Sequence, residues 1–134
     1  MLVSCNWLRE LCPVDATPEQ VAEALTARGL TVDAVDRDSG PGDVVLDIDI
    51  PANRPDCLGH YGIAREVAAA FQAPLPPPRH LQPAGSSKEL DKLVSVTIED
   101  PALCARYTAR LVRGVRIGPS PQPIIDRLIA CGLR

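Results

Sequence analysis

Fourteen prolines in 134 residues are about twice the usual share of roughly 5 %, and they bound what this chain can fold into. A proline has no N–H to give to a helix or a strand ladder, and it pushes the residue before it out of helical geometry. The prolines fall in a few places, so they act as punctuation between short elements. Pro13 and Pro51 close segments, Pro18 and Pro121 stand where helices start, Pro55 sits in a corner, and Pro76, Pro77 and Pro78 form a polyproline run. Apolar residues make up 46 % of the chain, enough for a real core. Aromatics are only 3 %, so that core must be built from Val, Leu, Ile and Ala.

Between these marks the elements are legible. Ser4 is placed to cap a short helix carrying Trp7, Leu8 and Leu11, which Pro13 ends. The stretch TPEQVAEALTARGL holds a full set of helix signals: Thr17 as cap, Pro18 at the first helical position, Gln20 completing a capping box, and Gly29 as the left-handed stop. Leu30 to Val35 reads as a short strand, and DRDSGPGD, residues 36–43, as a loop. Val44, Leu46, Ile48 and Ile50 then alternate with Asp47 and Asp49, the pattern of a strand with one buried and one wet face.

Asn53, Arg54, Pro55 and Asp56 form a rigid, charged corner from that strand into a helix. Pro55 fixes its own φ and biases Arg54 toward extended geometry, Asn53 tolerates a turn, and Asp56 is placed to cap the helix that follows. Arg54 is expected to reach a carboxylate or free helix-end carbonyls. Gly59 and Gly62 leave one side of the helix bare for close packing, Ile63, Val67, Ala70 and Phe71 make its apolar stripe, and Arg65 and Glu66 are expected to face water. Residues 73–92 begin as polyproline and relax into a polar linker. Beyond it, LVSVTIED and YTARLVRGVRI read as strands flanking a turn at DPALCARY, and Ser120 and Pro121 are placed to cap and open a last helix with Ile124, Ile125, Leu128 and Ile129 inward and Gly132 as its stop. Two strands and a helix are too thin to bury their own faces, which predicts that the natural polypeptide continues past Arg134.

Candidate chemistry is sparse. Five cysteines, an odd number with no C-x-x-C, argue for reduced, buried thiols over a disulfide or zinc framework. Cys57 and His60 lie beside Asp56, but a metal needs more ligands and His80 sits in the linker. A thiolate next to Asp56 is disfavoured, which weakens a Cys–His nucleophile. Asp43, Asp47 and Asp49 read as a solvated face sooner than a cation site, and SGPGD lacks the lysine of a phosphate loop. No metal or catalytic residue is assigned. Net charge is −3, split as −8 over residues 1–104 and +5 over residues 105–134. The basic end, with Arg106, Arg110, Arg113 and Arg116, fits either a polyanion contact or an acidic partner surface. Tyr107 is expected on the opposite strand face, so no aromatic platform interleaves with the arginines. With neither a signal-peptide pattern nor an apolar run of about 18 residues, the expectation is a soluble, cytoplasmic chain that meets no membrane.

The order of motifs resembles the beta subunit of bacterial phenylalanine–tRNA ligase. The resemblance covers nearly the whole chain and rests on NRPDCL, GIAREVAA and DPALCARYTARLVRGVRIGPSP. It implies a part of an alpha2beta2 aminoacyl-tRNA synthetase that attaches phenylalanine to tRNA(Phe) with ATP and magnesium, in partnership with an alpha subunit that holds the activating site. It also implies an α+β organisation. Residues 1–75 would be a small helix-rich domain similar in fold to certain DNA-binding modules, residues 76–92 a linker, and residues 93–134 the beginning of an α/β editing domain. The pocket residues of that domain would follow where this chain ends, so none is carried over. The family's inserted tRNA-binding barrel has no counterpart at residues 36–43. The corner 53–56 is then expected to be structural, the chain non-catalytic and without a bound cofactor. The alternative is a free-standing nucleic-acid-binding module.

Overall fold

A computed structural model of the chain describes residues 1–38, 42–78 and 90–133. They fall into two compact units, Met1–Pro78 with Ser120–Arg134, and Arg79–Pro119. His80 and most of the proline-rich linker lie outside the described residues. The first unit is α+β, with β1 (Leu2–Ser4), α1 (Cys5–Leu11), α2 (Pro18–Thr26), β2 (Val32–Asp36), β3 (Val45–Ile48), a 3-10 turn at Pro55–Cys57, α3 (His60–Phe71) and α4 (Gln122–Ala130).

The first two helices start where short-range chemistry puts them. The Ser4 hydroxyl accepts the Trp7 N–H at 3.0 Å, and α1 ends at Leu11, two residues before Pro13. Thr17 and Gln20 exchange side-chain and backbone bonds in a complete capping box, and Pro18 opens α2 without losing a useful donor. Gly29 takes φ +83°, and the Leu30 N–H returns to the Leu25 carbonyl. The strands form an antiparallel sheet in the order β1-β3-β2. β2 and β3 pair directly as a hairpin, with Val35 and Val3 opposite Leu46 from either side. Between Val32 and Ala34 the register slips, leaving Asp33 as a bulge.

Leu46, Ile48 and Val3 point into a core shared with Leu8, Leu25 and Ile63, all at most 5 % exposed. The other sheet face is not simply wet. Val45, on that face by alternation, is buried, and α4 packs on β1 there with Ala130 buried. Gly132 closes α4 at φ +75°, where an added Cβ would stand 3.0 Å from Leu2 Cδ1.

Several expectations give way to tertiary structure. Among the described residues of 90–119 there is no strand; the regular features are a turn at 91–93, where the Leu93 and Val94 N–H groups bond to the Leu90 carbonyl, and a turn at 101–103, closed by Cys104 N–H to the Asp100 carbonyl. A strand is a pairing, and the alternation of LVSVTI and RLVRGVRI meets no ladder in this unit. Tyr107 therefore has no strand face opposite the arginines. Ser120 caps nothing: Pro121 takes the cap position without a side-chain bond, and its carbonyl starts the ladder to Ile124 and Ile125. In α4 the residue most deeply buried is Ala130, while Ile124, Leu128 and Ile129 remain 41–49 % exposed. No helix among the described residues is long and apolar enough to cross a membrane.

The two glycines of the corner helix part company. Gly59 precedes α3 in an extended conformation with nothing near its missing Cβ, so close packing is not its role. Gly62 is buried, and a Cβ there would meet the Asp56 carbonyl oxygen at 1.9 Å. Gly62→Ala should therefore cost about 3 kcal/mol by overpacking, whereas Gly59→Ala should cost about 0.5 kcal/mol or less. Urea denaturation midpoints of the two variants check this, and equal midpoints would refute the close approach.

Candidate functional site

The corner is built by three successive turns. Arg54 N–H bonds to the Pro51 carbonyl at 2.8 Å, Cys57 N–H to Arg54 at 3.0 Å, and Leu58 N–H to Pro55 at 3.2 Å. Pro55, at the first position of the 3-10 turn, has no N–H to leave unpaired. Asn53 is exposed in the turn with an ordinary negative φ. Arg54 is not held extended; it takes φ −119°, ψ 50°, which turns its side chain back over the 3-10 segment.

That guanidinium gathers the site. Nε and Nη2 of Arg54 grip both oxygens of Asp56 at 3.1 and 3.0 Å, and Nη2 also reaches Glu66 Oε1 at 2.6 Å and Cys57 Sγ at 3.1 Å. Arg65 Nη2 adds a second cation to Asp56 Oδ2 at 2.6 Å. Asp56 is thus an ion-pair centre and not a helix cap. The position before α3 belongs to Gly59, whose cap has no side chain, because two guanidiniums hold the Asp56 carboxylate. The expectation that Arg54 meets a carboxylate is met twice; Arg65 is exposed as expected while also pairing with Asp56, and Glu66, 20 % exposed, is drawn into the corner.

Electrostatics follow the geometry. Hydrogen bonds from Arg54 lower the Asp56 carboxyl from an ordinary 3.8 to about 2. Bonds to Asp56 and Glu66 raise Arg54 further above its already high value. Burial raises the Cys57 thiol, so it stays protonated. Ligand atoms of Asp56, Cys57 and Glu66 lie within 4.8 Å of one another, a spacing that would suit a metal ion. The Arg54 Nη2 is within 3.1 Å of all three and already supplies their positive charge.

The remaining candidates are dispersed. His60 does not turn to Cys57; its Nε2 accepts the Ser4 N–H at 3.0 Å. Asp43 accepts the Asn6 N–H at 3.0 Å and the Ser4 hydroxyl, reinforcing the start of α1, while Asp47 lies 3.0 Å from the Met1 amino group. In the second unit Arg106, Arg110, Arg113 and Arg116 are exposed and carry no ion pair among the described residues. An open concavity of about 360 Å³ there is lined by Val96, Ile98, Leu103 and Tyr107; the Asp100 carboxylate at its edge binds the Ala102 and Leu103 amides. No nucleophile, base and orienting group converge at any of these places among the described residues. The partners that sequence reasoning missed, Arg65 and Glu66, carried a signal. They lie three and four residues after Gly62, so all three share the helix face on which the turn is laid.

No family model matches the chain. Curated relatives do. It is 39 % identical over 134 residues to a phenylalanine–tRNA ligase beta subunit of Rhodopirellula baltica, covering 99 % of this chain and 19 % of the relative. It is 48 % identical over 94 residues to that of Anaeromyxobacter dehalogenans, covering 69 % and 11 %. It is 45 % identical over 122 residues to that of Moorella thermoacetica, covering 91 % and 13 %. The chain therefore spans about a fifth or less of the length of these relatives.

The depressed Asp56 carboxyl sets a pH dependence. The unfolded chain takes up the proton first, so the ion-pair stabilisation is complete above an ordinary 3.8 and is lost as the pH falls from there to about 2. The denaturation midpoint of the native chain should drop across that window, and Asp56→Asn should flatten the drop. An equal acid slope in the variant would remove Asp56 from the centre of the corner.

Proposed function

Because the chain belongs to the phenylalanine–tRNA ligase beta-subunit family, we propose that it serves that ligase as a non-catalytic structural and assembly module. The observation that carries this reading is the engagement of the motif's own side chains. Arg54, Asp56 and Glu66 are consumed by one another at 2.6–3.1 Å, and Cys57 is a buried thiol beneath them. Groups spent on holding a turn against a helix are not available to attack an acyl group or to cradle a phosphate.

In this reading the complete enzyme attaches phenylalanine to tRNA(Phe) with ATP and magnesium in the cytoplasm, and an alpha subunit completes it. Residues 1–75 act as a small module similar in fold to DNA-binding domains, and residues 93–134 begin the editing domain. The relatives' shared name supports the parent activity, and the engaged corner supports the structural role. The test is aminoacylation by the complete ligase carrying Arg54→Ala. The variant should lower the denaturation midpoint while leaving the rate per folded enzyme within about twofold, a difference of roughly 0.4 kcal/mol in the barrier. A rate lost at an unchanged midpoint would make the corner catalytic.

The exposed arginines of the second unit, which carry no ion pair among the described residues, favour a second reading, in which this chain by itself touches nucleic acid. Each phosphate contact contributes a slope of about 0.9 or less to log K against log salt. The chain should bind tRNA weakly, with a slope that falls when Arg106, Arg110, Arg113 and Arg116 are changed to Ala. A slope that does not change places any contact elsewhere.

A further inference from the structure

Three aromatic and cationic side chains from three helices meet at the β1–α1 junction. His60, the first residue of α3, stacks on Trp7 of α1 with ring centroids 4.0 Å apart and planes inclined by 25°. Arg127 of α4 places its Cζ 4.7 Å from the Trp7 ring centroid and pairs with Glu10 of α1. The His60 Nε2 accepts the Ser4 N–H at 3.0 Å, so the ring is a neutral acceptor there. Ser4 is buried, and its N–H relies on that acceptor. We propose that His60 is a proton-operated latch whose neutral ring holds the start of α3 to the β1–α1 junction and, through Trp7, steadies α4, and whose protonation loosens both.

Protonating Nε2 removes the lone pair that receives the Ser4 N–H and sets two donors against each other, leaving a buried amide unpaired. It also puts a cation against the ring that Arg127 already faces. The charged groups around His60 are few. Asp43, from the loop before β3, favours the imidazolium, but its oxygens are engaged by the Ser4 hydroxyl and the Asn6 N–H. Arg127, from α4, disfavours it, and Glu10, from α1, is paired with Arg127. Burial, with Arg127 acting in the same direction, outweighs Asp43, so the ring protonates below its ordinary 6.5. The unfolded chain then binds the proton first. The latch's stability is complete above that value and is lost as the pH falls below it.

Trp7 is the single tryptophan in the chain, so its emission reports on the stack directly. In the full chain, emission should titrate with a midpoint below about pH 6.5, and the urea midpoint should fall between about pH 7.5 and about pH 5. His60→Gln, which keeps a neutral acceptor, should abolish both dependences. Arg127→Gln should move the emission midpoint upward by removing a neighbouring charge. A flat wild-type titration over that range, or the same titration in His60→Gln, overturns the latch. If His60→Gln does not fold, the Arg127→Gln shift decides alone, and a midpoint that stays or moves down overturns it.

Discussion

The grip of Arg54 on Asp56 and Glu66 decides where the second half of the first unit lies. β3 is the central strand, so the direction in which the chain leaves it determines where α3 meets the core. One guanidinium ties the turn to itself through Asp56 and to the helix through Glu66, while Gly62 lets the Asp56 carbonyl approach the helix backbone. Arginine suits the place because its planar fork meets a carboxylate with two bonds and still has a donor for a third acceptor; a lysine ammonium has no such fork. With Arg54 28 % exposed and Glu66 20 % exposed, the pair is shielded enough to matter and still wet enough to avoid a full desolvation penalty.

The direct β2–β3 hairpin bears on the resemblance to the ligase subunits. A domain inserted between those strands is not needed for them to pair, since residues 37–44 suffice to connect them. The alignment with the Rhodopirellula baltica subunit runs over 134 residues and 99 % of this chain, which leaves no room in the aligned stretch for an inserted domain there.

The charge split along the chain has a structural counterpart. The acidic part is drawn largely into local tasks: Asp43 at the start of α1, Asp56 and Glu66 at the corner, Glu10 of α1 with Arg127 of α4. The arginines from Arg106 to Arg116 have no such employment among the described residues, and they alternate with exposed Val112, Val115 and Ile117. Their surroundings, more than their number, set them apart from Arg54, Arg65 and Arg127.

The sequence by itself determined the features closed within a few residues: the Ser4 cap, the Thr17–Gln20 box, the Gly29 stop and the buried stripe of Leu46 and Ile48. These need one side chain and one nearby amide, so the local pattern is sufficient. It also determined the subunit family, because the corner motif and its neighbours stand in a recognisable order. Tertiary structure decided what Asp56 does, since a carboxylate beside a helix start will cap it unless cations compete, and here both Arg54, two residues before it, and Arg65, nine residues after it, do. It decided that Val45 is buried, on the sheet face where α4, residues 122–130, packs on β1. It decided that residues 93–119 carry no described strand, because alternation proposes a strand and only a pairing partner makes one. For Val45 and for residues 93–119 the deciding partner lies outside any window that a local rule can see.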